Sequence, residues 1–423
     1  MCDDVEVTVR GDRIVETANA CPLGRSWFLE RQQNGQDLLP VCTIDGRPAP
    51  LEAGLDLAAR LLTSARFPLV YGLSETTAEA QSRAAAIADW LGGTLDTATS
   101  SGHAPSILAF QSVGKVSATL GEIRHRSDLI IFWGANPIET HPRVYSRYTA
   151  MPAGMFVPAG RAGRTCVLVD VQSNRTAEEM DLFFKIKPGA DFEALWTLRA
   201  CVRGLSLDAE QVLEQTGVAL AAWAALAARM KKAQFGAFLF GMGLMRSRGQ
   251  HANCEALFAL NRELNDHTRF VCRSIRARGN STGADKVVSW RTGYPIAVDL
   301  SRGYPRYNPG EYTATESLSR GEPDAALVVA SDPLSHFPEA ACEHLRRIPL
   351  VSVGAQDTAT RRAARVAFTT ALYGIHAAGT VYRMDEVPLH VRGVTPSPYP
   401  TDVEVLTGLE RRVRELQREA QTS

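Results

Sequence analysis

Pro68-Leu-Val-Tyr-Gly72, the alanine-rich run from Thr76 to Leu91 and the stop at Gly92-Gly93 follow one another as strand, helix and turn. The first run has no polar alternation, so a strand there is buried on both faces. The paired glycines end the helix because glycine accepts the left-handed conformation that closes a last turn. Outward from this unit the same pattern recurs. Leu51 to Leu62 has apolar residues at helical spacing, and apolar runs recur at Leu129 to Trp133, Cys166 to Val171, Ala237 to Phe240, Ala325 to Ala330 and Leu350 to Val353. Several end in turn residues, among them Gly72, Gly134 and Ser331-Asp332-Pro333. Apolar strands alternating with helices imply parallel sheets covered on both faces, an α/β fold. One sheet would be crowded by so many units, so the expectation is two doubly wound parallel-sheet domains.

A small β element precedes them, with Val5 to Val9 and Arg13 to Glu16 alternating around Gly11-Asp12 as a hairpin. The expected division is residues 1–50 for this element, 51–100 with 300–423 for the first α/β domain, and 101–299 for the second. Trp290 to Thr313 has little periodicity and many Gly, Pro, Tyr and Arg residues, which marks a binding or interface loop. A Leu-, Arg- and Glu-rich helix follows Thr401.

Of 423 residues 45% are hydrophobic and 22% charged, and 46 basic side chains balance 46 acidic ones. A neutral chain without a basic cluster argues against nucleic acid as the main partner. No apolar run approaches membrane-spanning length, and the acidic start Asp3-Asp4 is unlike a signal peptide. The cytoplasm is expected. Eight cysteines lie scattered with no CxxC pair, so most are expected as small core residues in a reducing compartment.

No Gly-Lys-Ser/Thr phosphate loop, HExxH or GxSxG elbow occurs. Gly241-Met-Gly243 follows a strand but lacks a third glycine, and a tight turn is the preferred reading. His103 opens a helix that Ser100 or Ser101 could cap. His141-Pro142-Arg143 is a rigid connection whose simplest role is to bind backbone carbonyls or carboxylates. Arg273, Arg276 and Arg278, followed by Asn280, could bind an anion or hold an interface. Pattern alone names no reaction.

Longer motifs carry a resemblance. Asn19-Ala-Cys21-Pro-Leu-Gly24, Phe132-Trp-Gly-Ala-Asn-Pro137, His141-Pro-Arg143, Asn280-Ser-Thr-Gly283, Gly303-Tyr-Pro-Arg-Tyr-Asn-Pro-Gly-Glu311 and Gly379-Thr-Val-Tyr-Arg-Met-Asp385 resemble the B subunit of formylmethanofuran dehydrogenase, in order and over nearly the whole chain. The resemblance implies a fold of the molybdopterin oxidoreductase type. It also implies a bis-molybdopterin guanine dinucleotide with Mo or W, a cysteine or selenocysteine ligand to that metal, and a four-cysteine [4Fe–4S] site. Both groups need thiolates, and the sequence departs from the family there. Cys2, before Asp3-Asp4, matches the third cluster cysteine and Cys21 the fourth, without the first two. Aligned on His-x-Pro-Ser, Gly102 stands where the family has the metal-binding cysteine, while the neighbouring His103 remains. Arg278 stands in place of a histidine two residues after Arg276.

The expectation is therefore a chain with no cofactor of its own, whose Gly102, His103, Arg276 and Arg278 form a vestigial site and whose Cys2 and Cys21 are relics. Such a chain resembles the non-redox structural B subunit of a formyltransferase/hydrolase complex of methylotrophic bacteria. That complex moves a formyl group from formyl-tetrahydromethanopterin to methanofuran and releases formate. The implied partners are an amidohydrolase-type A subunit, a β-helix-like C subunit and a formyltransferase D subunit. Two alternatives stand beside it: a catalytic molybdenum or tungsten dehydrogenase subunit, and a subunit holding the anionic tail of methanofuran in an emptied pterin cleft.

Overall fold

The computed structural model describes residues 3–33, 38–276 and 279–422; Cys2 and Arg278 lie outside them. The chain forms two compact units that divide between residues 101 and 102 and again between 277 and 278. The second segment is inserted within the first.

The inserted unit is built on a five-stranded parallel sheet in the order Arg269–Ser274, Phe235–Phe240, Leu129–Trp133, Thr165–Asp170, Leu182–Lys185. The chain starts in the middle, runs outward to one edge, and then returns to the other side of Leu129–Trp133. Trp133, Phe238, Phe240, Leu257, Phe258 and Phe270 fill its main core. Gly236 is required by packing, since a methyl group there would come within 2.1 Å of the Phe270 ring.

The interrupted unit carries a nine-stranded sheet. Its order is Arg306–Tyr307, Val298–Asp299, Thr94–Thr97, Pro68–Gly72, Ala325–Val329, Leu350–Gly354, Val366–Thr369, Cys42–Ile44, Arg47–Pro48. The middle five strands are parallel and the two at each end pair antiparallel. Alternate residues of the central strands enter two cores. Val70, Leu327, Val329 and Val351 meet the helices Leu51–Thr63, Ala78–Leu91 and Asp402–Thr422, while Leu69, Tyr71, Ala326 and Val328 meet Leu318, Phe337, Cys342 and Leu345. That double burial is the reason Pro68 to Gly72 is apolar throughout. The helix Ala78–Leu91 starts where the Thr77 hydroxyl accepts from Ala80 N and stops at Gly92, φ 60°. The N-terminal hairpin forms as expected, pairing Glu6–Arg10 with Arg13–Ala18.

The expected boundaries need correction. Residues 1–50 are not a separate element throughout, because Cys42–Ile44 pairs with Val366–Thr369 in the large sheet. The inserted unit does not reach residue 299. The helix Ser281–Thr292 packs with the interrupted unit, and Val298 pairs with Leu95. The sheet there is mixed because short antiparallel strands finish its edges. No helix among the described residues is long and apolar enough to cross a membrane.

Candidate functional site

In an open α/β sheet, ligands bind beyond the carboxyl ends of the strands, where the winding direction reverses. In the inserted unit that point lies between Leu129–Trp133 and Phe235–Phe240. Each strand ends in glycine, and the two turns touch, with Gly241 N donating to Trp133 O and Gly243 N to Gly134 O, both at 3.0 Å. Gly134 has φ 54°, and a methyl group there would lie 2.5 Å from Leu244 N. A methyl at Gly241 would lie 2.5 Å from Gly134 O. The expected tight turn is corrected: Gly241 precedes the short helix Met242–Arg246, and close backbone approach to Gly134 requires glycine at both 241 and 243.

His141 follows the first of these strands. It is buried, with Nε2 2.9 Å from the Arg276 carbonyl and Nδ1 2.8 Å from Thr140 Oγ1. A carbonyl can only accept, so Nε2 carries the proton. Burial holds this imidazole below the usual histidine range, with the carbonyl opposing. His103 begins the helix Ala104–Val113, and its Nδ1 is a buried atom with no hydrogen-bonding partner among the described residues. Burial first, then the positive fields of Arg276, His141 and Arg246, push its pKa down to about 3. The ring is neutral at physiological pH. The expected serine cap is corrected: Ser100 Oγ donates to Asp96 Oδ2 at 2.6 Å and Ser101 Oγ to Ala98 O at 3.0 Å, so neither caps that helix.

The arginines separate in role. Arg273 is buried and donates to Ser117 Oγ at 2.7 Å, while Arg276 lies within electrostatic reach of His103. Arg278 is outside the described residues. Among the described residues Gly102 has no steric necessity, since a methyl group there would meet only Met242 of them, with Cε at 3.6 Å. Cys21 caps the helix Pro22–Glu30, its Sγ accepting from Gly24 N at 3.4 Å. Cys42, Cys166, Cys254, Cys272 and Cys342 are buried, as expected. Burial pushes the Cys254 thiol up to about 12, which leaves it inert.

The donor chemistry at position 102 does not fit a molybdenum or tungsten ion. Glycine has no side-chain atom to bind with, and the nearest side chain across from it among the described residues is a methionine rather than a thiolate. Among the described residues no three His, Cys, Asp or Glu side chains are grouped to hold a metal.

Two features of the interrupted unit are absent from the sequence-based expectations. One is a cavity of about 480 Å³ beyond the ends of strands 68–72, 325–329 and 350–354, lined in part by Ser74, Glu75, Ser331, Asp332, Gln356 and Thr358. Its one signal was the Ser331-Asp332-Pro333 turn after an apolar strand. Asp332 is held by Thr360 N and Oγ1 at 2.8 and 2.6 Å and by Ala359 N at 3.3 Å. The other is Asp96, fully buried in the strand Thr94–Thr97. Its Oδ1 accepts from Thr97 N and Ala297 N, and its Oδ2 from Ser100 Oγ and Ala314 N.

No family model matches the chain. It is 38% identical over 422 residues to the B subunit of tungsten-containing formylmethanofuran dehydrogenase 2 of Methanocaldococcus jannaschii, covering 98% of this chain and 96% of that one. The chain belongs to the family of formylmethanofuran dehydrogenase B subunits. The corresponding protein of Methanococcus maripaludis is 36% identical over the same span. Within this family context the chain is also 27% identical over 376 residues, 88% of its length and 96% of the relative's, to the B subunit of the formyltransferase/hydrolase complex Fhc of Methylorubrum extorquens. Among solved structures, it matches a chain of the Methylorubrum extorquens FhcABCD complex with methylofuran at TM-score 0.74 and 24% identity, over 89% of this chain and 99% of that one. Acetylene hydratase from Pelobacter acetylenicus matches at TM-score 0.74 and 11% identity, over 98% and 68%. The two structural matches share the α/β fold with parallel sheets described above.

Proposed function

We propose that this chain is the non-redox, structural B subunit of a cytoplasmic formyltransferase/hydrolase complex. That complex moves a formyl group from formyl-tetrahydromethanopterin to methanofuran and releases formate. The observation that carries this reading is Gly102 beside a retained His103, which leaves a soft metal without the thiolate it needs. The chain then carries no cofactor, Cys2 and Cys21 are relics of a cluster site, and the fold is that of a molybdopterin oxidoreductase put to scaffolding use. Its partners are an amidohydrolase-type A subunit, a β-helix-like C subunit and a formyltransferase D subunit. Elemental analysis of the assembled complex tests this. The expected result is no stoichiometric molybdenum, tungsten, iron or acid-labile sulfide, and about one heavy metal per chain would overturn it.

A redox reading is favoured by one observation, the 36–38% identity to tungsten-containing subunits against 27% to the Fhc subunit. The same analysis separates the two. A third reading, in which Arg276 and Arg278 hold the anionic tail of methanofuran, predicts that methanofuran copurifies with the complex. Charge reversal at Arg276 would then release it.

A further inference from the structure

The segment 290–307 combines features that ordinary surface loops do not. It is held rigidly from within: buried Asp96 accepts from Ala297 N at 3.0 Å, and Arg306 donates twice to the buried carboxylate of Asp299, at 2.6 and 3.0 Å. The rings of Tyr294 and Tyr307 stack at 4.8 Å with 6° between their planes. Yet large rings face outward, with Trp290 57% and Tyr304 58% exposed. Arg306–Tyr307 is moreover the outermost strand of the nine-stranded sheet.

Exposed Trp, Tyr and Arg side chains on a segment anchored from within are the composition of interface hot spots, because a backbone already held in place loses little conformational freedom on binding. Charge selects the kind of partner. Residues 290–307 contain three arginines (Arg291, Arg302 and Arg306) and one acid, Asp299, a net charge of +2. Asp299 is occupied by Arg306, and Glu311 just beyond accepts from Asn308 Nδ2 at 2.8 Å. Arg291 and Arg302 are exposed. Such a face attracts carboxylates and repels a basic surface.

We propose that this face docks an acidic segment of another polypeptide within the assembled complex. Aromatic anchors at Trp290 and Tyr304 supply contact area, and Arg291 and Arg302 supply charge. The assignment rests on the reading of the chain as a complex subunit and names the surface that reading leaves open.

Hydroxyl-radical footprinting of the complex and of the isolated chain tests it. Oxidation of Trp290 and Tyr304 should fall at least fivefold on assembly. The double variant Trp290→Ala/Tyr304→Ala should reduce recovery of partner subunits at least tenfold, with the chain's circular dichroism spectrum unchanged. Arg302→Glu should weaken assembly as well, and raising salt should weaken the wild type more than this variant. Equal oxidation in both samples, or unimpaired assembly of the double variant, would each overturn the docking surface. Protection that grows with concentration of the isolated chain would overturn it in favour of a second copy. A metal found in a complex that still protects these rings would sink the non-redox reading and leave the docking surface standing.

Discussion

Among the described residues nothing packs closely enough to require glycine at position 102, and this makes it an unusually clean place to intervene. Its backbone does not lie in the left-handed region and the space beside it is bounded by the flexible end of Met242. Gly102→Cys should therefore fold with a stability within about 1 kcal/mol of the parent, measured by urea denaturation. A loss of several kcal/mol would mean that the glycine is structural. The neighbouring His103 gives a second expectation. Its folded pKa, about 3, is depressed from 6.5. The neutral ring therefore contributes stability above pH 6.5 that declines as pH falls toward 3. The Cε1 resonance of labelled His103 should stay flat from pH 5 to 8, and a titration near 6.5 would show the ring to be solvated. Both residues were legible in the sequence through the His-x-Pro-Ser spacing. Asp96 was not. Nothing in Thr94-Leu-Asp-Thr97 marks a buried carboxylate, because the donors that surround it include backbone groups at 297 and 314.

Among the elements, the strand Thr94–Thr97 and the segment it holds depend on that carboxylate. Burial pushes Asp96 up to about 7 from 3.8, against four hydrogen-bond donors. An acid with a raised folded-state pKa keeps its proton longer when folded, so its contribution is present below pH 4 and is lost as pH rises through 7. Wild-type stability should lose on the order of 4 kcal/mol between pH 4 and 8 from this group alone. The Asp96→Asn variant should lack that decline while being less stable overall, since its amide NH2 must face a backbone N–H. Parallel slopes for the two proteins would contradict the assignment. Apolar parallel strands announced themselves locally, by composition. Val298–Asp299 and Arg306–Tyr307 did not, because two residues have no period, and Val298 meets its partner Leu95 across some 200 positions of chain.

For the whole molecule, zero net charge and outward-facing Phe110, Met155, Phe156 and Trp290 favour association over solitude. Expressed alone, the chain should be poorly soluble at concentrations where the complex formed by co-expression with its partners stays in solution. Sedimentation velocity showing a clean monomer would count against a role inside a complex. The α/β class was readable from the order of strands and helices, whereas the division at 277 was not. The helix Ser281–Thr292 reads like any other, and only its packing against Ala78–Leu91 and its neighbours fixes its unit. The insertion itself has a consequence in time. Strand Pro68–Gly72 needs Ala325–Val329 beside it, yet the ribosome makes the intervening stretch first. At about 5–20 residues per second that delay is roughly 13 to 50 s. During it the contiguous middle unit can complete itself while Val70, Tyr71 and Leu95 wait without their neighbours. This protein is most exposed to aggregation while it is being born, and slower translation lengthens the exposure.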